Sequence, residues 1–371
     1  DPSAVAQFRS CAKEGIILSG YIDAGYTYNF SGSNINYRAG LGNNTDSDGG
    51  SHGDFNLNAL KVVLEKPLSD ANEFQAGFRA DLVFGEDASD VFGGSTNGSA
   101  DGDSLAVEQA YVNFRMPVAN GVDVAVGKFV TWLGYEVFER PANLNITYGN
   151  LFWNAIPADH TGVAFTTSIN DTIDDVGFAI VNGINTDDGI SASGGDEIGV
   201  MAKVNLTNPS GNANLYQAIY YGFNETDTFL NGGAGGTDDG DIFIYDAWGN
   251  WMPTFANGKL LLGINGNFAF ADTDTAATDL SWWGSALYAK YQFTDIFSLA
   301  GRADYLHSDA AGRLGATVND LYSITITAGF DLLENLLLRA EYRVDITDDE
   351  TGVTGTSGQG HTIATQAVYS F

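Results

Sequence analysis

The 371-residue chain carries 47 acidic against 16 basic residues, a formal charge of -31, which argues against nucleic acid as a partner and for an acidic, solvated surface. Hydrophobic residues make up 44% of it, yet mean hydropathy is only -0.08 and no run of about 18 apolar residues occurs, which excludes membrane-spanning helices. The single cysteine, Cys11, allows neither an internal disulfide nor a thiolate metal cluster.

Residues 1–15 (DPSAVAQFRSCAKEG) lack alternation and are expected to form a leader or a short plug. No signal peptide stands at Asp1, so the chain is read as a mature or trimmed form. From Ile16 onward, period-two segments begin, with side chains sent alternately to opposite faces. They fall near 16–30, 54–66, 72–84, 104–115, 121–131, 159–169, 174–183, 197–206, 213–224, 241–252, 258–270, 281–293, 296–307, 321–330, 336–345 and 361–371, about sixteen in all. In the third, Phe74, Ala76, Phe78, Ala80, Leu82 and Phe84 oppose Gln75, Gly77, Arg79 and Asp81. In the fifteenth, Leu338, Ala340, Tyr342 and Val344 oppose Arg339, Glu341, Arg343 and Asp345. The last ends on Phe371, with Ile363, Thr365, Ala367 and Tyr369 on the same face. Pattern alone leaves the facing of 54–66, 121–131 and 213–224 open.

The connections alternate too. Short turns follow the even segments: PLSDA (67–71), MPVANG (116–121), NDTID (170–174), TNPSGN (207–212), MPTFANG (252–258), TD (294–295) and DLLEN (331–335). Longer Gly/Asp/Ser/Thr-rich stretches follow the odd ones, as at 31–53, 85–103 and 346–360. Short turns at one rim and long loops at the other, on strands of about ten residues that rise roughly 24 Å when tilted near 45°, describe a membrane barrel. The fold expected is all-β: a transmembrane antiparallel up-and-down β-barrel of about sixteen strands over 16–371. An even count returns both chain ends to the short-turn rim, where the first and last strands pair and no edge is left.

GYIDAGYTYNF (Gly20–Phe30), QAYVNFRMPVANGVDVAVGKFVTWLGYE (Gln109–Glu136) and HTGV (His160–Val163) resemble the OmpL-like outer-membrane porins, the beta-barrel porin-2 family. The likeness is clearest over about 16–165 and returns in the C-terminal strand, whose terminal Phe resembles the ending read by the assembly machinery of such barrels. It implies an integral protein of the bacterial outer membrane, with lipid and lipopolysaccharide around it, small hydrophilic solutes inside it and a homotrimer as its assembly. Gly177, Ala179, Val181 and Gly183, taken as small outward residues, mark an expected contact strand. No substrate follows from the resemblance.

The connection at about 132–158 differs in kind from the Gly/Asp tracts, with Trp132, Tyr135, Phe138, Tyr148, Leu151, Phe152, Trp153 and Ile156 in it. Similarity to porins implies that this third long loop folds into the lumen and narrows it. Glu136, Glu139, Arg140, Tyr148 and Trp153 are then the expected constriction residues, with Asp159 and His160 at the loop's return. Inward parity assigns Arg79, Asp81, Arg302, Asp304, Arg339, Glu341 and Arg343 to the pore lining, with Asp23, Asp345 and Lys290; Lys61 and Arg115 are added to that lining as candidates. An ionisable group facing lipid at mid-depth costs about 2–4 kcal/mol, so these side chains must face water or one another. Lys61, Arg79 and Arg115 are expected to form a basic wall opposite Glu136 and Glu139.

Asn44, Asp46, Asp48 and Gly49 match the opening of a calcium loop, but its twelfth position is Phe55 instead of a bidentate Glu. Ca2+ at Asp46 and Asp48 is therefore a weak expectation; no other cofactor is expected. Four scattered histidines (His52, His160, His307, His361) have no nucleophile motif beside them, and Asp304 and His307 have opposite parity, so no catalysis is expected. The leading function is passive diffusion of small hydrophilic solutes and ions with a weak cation preference. The alternatives are a nutrient channel, for example for a sugar sliding over Trp153 and Tyr148, and an adhesive or envelope-tethering barrel.

Overall fold

In a computed structural model of the chain, the alternating segments are strands of one antiparallel sheet closed on itself. The structure describes residues 15–30, 52–90, 95–96, 104–184, 197–226, 239–273, 280–309, 319–348 and 358–371. The strands are β1 (Ile17–Asn29), β2 (His52–Lys66), β3 (Gln75–Phe84), β4 (Ser95–Thr96), β5 (Ser104–Met116), β6 (Val122–Val130), β7 (Asp159–Thr167), β8 (Ile173–Val181) and β9 (Ile198–Thr207). They continue with β10 (Ala213–Thr226), β11 (Asp239–Trp251), β12 (Leu260–Thr273), β13 (Leu280–Gln292), β14 (Phe297–Ser308), β15 (Asp320–Leu333), β16 (Leu336–Thr347) and β17 (Gln359–Ser370). Apart from β4, a two-residue ladder on β5, each pairs with its neighbours in sequence, and β1 also pairs with β17 from Tyr21↔Ser370 to Asn29↔Thr362. Among the described residues, the pairing of β1 with β17 closes the barrel, and closure is the condition for a sheet to sit in lipid.

Facing follows the pleat. In β15, Ser323, Thr325 and Thr327 are buried while Ile324 and Ile326 are about half exposed on the outside. Outward aromatics gather near both rims. Phe293, Phe297 and Phe330 lie with ring centres 5.5 and 5.2 Å apart beside the short turns, and Trp283, Tyr305 and Tyr322 lie at 5.1 and 4.6 Å toward the other end. Two aromatic belts around an apolar band are what a bilayer's interfaces favour.

Three strands whose facing the pattern left open carry irregularities. Opposite Asp23 and Ala24 the register of β2 jumps from Ala59 to Leu57, so Asn58 is an extra residue and both Asn58 and Ala59 turn inward. In β10 the register shifts between Gly222 and Glu225, with Asn224 in the left-handed region at φ 54°. β6 contains Gly127 at φ 138°, a conformation open to glycine. One facing is corrected: Gly177, Ala179, Val181 and Gly183 are buried toward the lumen, and Phe178 and Ile180 face out. Gly177 approaches Lys203 and Trp132, so small size there serves interior packing and marks no contact strand.

Candidate functional site

Segment 131–158 leaves β6, crosses the barrel and comes back to β7. Its irregular backbone needs partners wherever water is excluded, and the wall supplies them. Gly134 N–H donates to Asp246 of β11 at 3.0 Å, and Tyr135 donates its hydroxyl to Asn250 at 2.8 Å while stacking on Tyr288 of β13. Further on, Arg140 donates to Asp87, at 2.6 and 2.5 Å, with Asp23 of β1 at 3.6 Å. Asp87 belongs to a short helix, α1 (Glu86–Asp90), after β3. Strand β16 then takes over. Arg339 donates to the carbonyls of Asn143 and Arg140 at 2.6 and 2.9 Å, and Glu341 accepts the N–H groups of Ile146 and Thr147 at 2.6 and 3.1 Å. Arg302 of β14 and Arg343 of β16 donate to the carbonyls of Thr147 and Tyr148, both at 2.6 Å. On the return, a second short helix, α2 (Asn150–Asn154), offers Asn150 to Asp304, and the Trp282 indole N–H holds the Ala155 carbonyl at 3.0 Å.

The charges beneath this segment are paired, and most of them are buried. Lys61 Nζ lies 2.6 Å from Glu139, 2.7 Å from Glu108 and 3.2 Å from Asp81. Those three carboxylates converge within 4.8 Å, the kind of cluster that holds a cation, and the lysine ammonium already supplies the positive charge. Glu136 receives Arg302 at 2.6 Å and the Gly149 N–H at 2.5 Å. Burial pushes its carboxyl up from the ordinary range, against the downward pull of Arg302 and that N–H.

The other side of the interior is largely apolar, around the buried Asp246, Asn265 and Asn267. Ile242 and Ile244 of β11, Ala269 and Ala271 of β12, and Trp282 and Ala286 of β13 all turn inward and are buried. Leu151, Phe152, Ala155 and Ile156 dock on them, and Phe152 stacks on Tyr148 at 4.6 Å. Burying such side chains stabilises by about 1.5–3 kcal/mol each, which is what the loop's aromatics find to pack on.

Two cavities flank the segment. One, of about 430 Å³, starts at the short-turn rim by Pro67 and Leu68 and is lined by Arg79, Tyr111, Asn113, Arg115, Phe129 and Trp132. A second, of about 190 Å³, lies between the segment and Tyr216 and Trp248 of β10 and β11; Val130 and Trp132 border both.

With this geometry, comparison with known proteins is informative. The model of the beta-barrel porin-2, OmpL-like family matches residues 15–371. The chain belongs to that family. It is an outer-membrane porin barrel, a channel architecture, and family and fold point to a channel instead of an enzyme. Among curated proteins none matches this sequence. The fold is similar to that of the outer-membrane channel DcaP of Acinetobacter baumannii (13% identity, TM-score 0.67, covering 96% of this chain and 97% of that one). It is also similar to an anion-selective porin from Comamonas acidovorans (13%, TM-score 0.61, 96% and 99%) and to the trimer form of OmpT of Vibrio cholerae (11%, TM-score 0.58, 96% and 99%).

Within the porin, Glu136, Glu139 and Arg140 all reach the wall, but each meets its own partner. Lys61 and Arg79 touch Glu139 directly, at 2.6 and 3.7 Å, so the basic wall expected to stand across from the loop acids is in contact with one of them. Glu136 goes to Arg302 instead, and Arg115 stands apart near the short turns, paired with Asp123 at 2.6 Å. The reason is reach: the segment crosses the lumen far enough for opposite charges to pair. Asp81, Asp304, Arg339, Glu341 and Arg343 face inward and are buried, as are Asp23 and Asp345, while Lys290 is half-buried. Tyr148 is buried below Arg140, whose guanidinium lies 4.9 Å from its ring; Trp153 is partly buried. Asp304 points in and His307 out, where His307 meets Asp320 and Asp309. Asp159 is buried with Lys128 at 3.4 Å, and His160 is buried between Gly183 and Thr131. Asp46, Asp48 and residues 1–14 lie outside the described residues.

Reading by parity missed Glu108 and Asp87. Glu108 sits where the β3–β5 register jumps from Gln109 to Val107, so it and Gln109 both point inward. Nothing in the residue string signals that bulge.

Proposed function

We propose that this porin is a passive diffusion channel for small hydrophilic solutes and ions, narrowed by segment 131–158, with a weak preference for cations, working as a homotrimer. The observation that carries the reading is the segment's double anchorage, to Asp246 on one side of the barrel and to Arg339, Glu341 and Arg343 on the other. A loop tied at both sides sets a fixed bore, which excludes by size, and needs no chemistry to do so. The cation preference is supported by the excess of acidic over basic residues, 47 against 16. The trimer form of OmpT supports the assembly by analogy. Planar-bilayer recording tests the reading: a KCl gradient should give a reversal potential of cation-preferring sign, and nonelectrolytes of rising size should lose access at one cut-off. An anion-preferring reversal potential would refute the selectivity; absence of any size cut-off would refute the narrowing.

A further inference from the structure

The two cavities beside segment 131–158 meet at one place. Of the residues that line them, Val130 and Trp132 alone are common to both. Val130 is the last residue of β6 and belongs to the wall. Trp132 stands two residues on, where the chain leaves the wall, and its side chain is partly exposed. On one side of it the larger cavity runs back to Pro67 and Leu68 at the short-turn rim; on the other, the smaller reaches Glu139 and Phe152 within the segment.

Trp132 is held in that position by backbone and ring together. Thr131, just before it, donates its N–H to the Ala158 carbonyl at 3.0 Å, and Gly134, just beyond, is tied to Asp246 at 3.0 Å. The ring lies against Phe129, with centres 6.2 Å apart, and the Lys203 ammonium of β9 sits 4.8 Å from its centroid. A cation over an indole face is attractive and fixes how the ring is turned. Lys203 is in turn anchored to Asp175 of β8 at 2.5 Å. Gly177 keeps the space open: a Cβ there would come within 2.7 Å of the Lys203 stem and 3.0 Å of the Trp132 ring.

The constriction residues expected from sequence are mostly committed elsewhere. Glu136, Arg140 and Tyr148 are buried, with Glu136 locked to Arg302 and Arg140 to Asp87. Side chains packed inside the segment cannot narrow the space beside it, whereas a partly exposed indole on the shared border does. We infer that Trp132 is the residue that sets the bore past segment 131–158, and that Lys203 is the positioning residue that keeps its ring turned across the passage. This rests on the channel reading and adds to it the group that does the narrowing.

Single-channel recording in planar bilayers tests the inference, with KCl for conductance and polyethylene glycols of graded size for the cut-off. Trp132→Ala should raise conductance about twofold and admit larger glycols, because a methyl replaces an indole at the narrowest point. Trp132→Phe should fall between it and the parent. Lys203→Met should make the current flicker, since the ring loses its hold, and Lys203→Arg, which keeps the cation, should record as the parent does. Should Trp132→Ala fail to give the compact, heat-sensitive species on unheated gels, Trp132→Phe carries the expectation of raised conductance. Parental conductance and cut-off in the folded Trp132 variants would overturn the bore-setting role, and a steady current in Lys203→Met would overturn the positioning role. A parent protein that does not conduct refutes the channel reading; a conducting protein indifferent to Trp132 refutes this inference alone.

Discussion

The side of the barrel running from β14 through β17 to β3 meets segment 131–158 with charge; the side from β8 to β13 meets it largely with hydrocarbon. Arg302, Arg343 and Glu341 on the first side address particular backbone atoms of Ile146, Thr147 and Tyr148. Ile244, Ala269 and Trp282 on the second give the loop's Leu151 and Phe152 a surface to fill. The difference teaches how a loop is fixed inside a membrane barrel. Hydrocarbon contact is non-directional and supplies adhesion. Charge-assisted hydrogen bonds fix register, because a shifted loop would strand buried ions.

Breaking the charged side should therefore have the larger effect. Arg302→Met leaves Glu136 and Asp304 buried without their cation, and loss of one partner from a buried pair costs about 3–5 kcal/mol. Thermal unfolding in detergent micelles should show a clear fall in midpoint, together with a higher and noisier KCl conductance as the loop loses its register. Leu151→Ala sharpens the contrast from the other side. This side chain is 1% exposed, with Gly284 beside it, and its truncation should cost about 3 kcal/mol. Its unfolding midpoint should fall less than that of Arg302→Met, with conductance close to the parent's, because no backbone partner is removed. Equal conductance changes in the two variants would erase the distinction between the sides.

The two sides were also unequally legible. Where outward residues are apolar and inward ones charged, as in Leu338, Arg339, Ala340 and Glu341, parity named both the strand and the facing, and the closed barrel is borne out. In β11, Ile242 and Ile244 point inward between Phe243 and Tyr245, so both faces are apolar and no alternation marks the lumen. The same ambiguity hid the direction of Gly177, Ala179 and Val181, which are as small and apolar as a subunit contact would be. Bulges hid the rest: one extra residue, as at Asn58 or Glu108, reverses every side chain beyond it without changing composition. Individual charges in segment 131–158 could be listed from sequence, but their partners come from β2, β14 and α1, separations that a linear pattern does not encode.

Hydrogen–deuterium exchange of the folded barrel in micelles tests most directly whether segment 131–158 is a fixed internal element. The amides of Gly134, Ile146, Thr147 and Gly149, which donate to Asp246, Glu341 and Glu136, should be protected nearly as well as those of the strands. Exchange of these four at the rate of a solvated loop would contradict the anchored segment and, with it, the fixed bore.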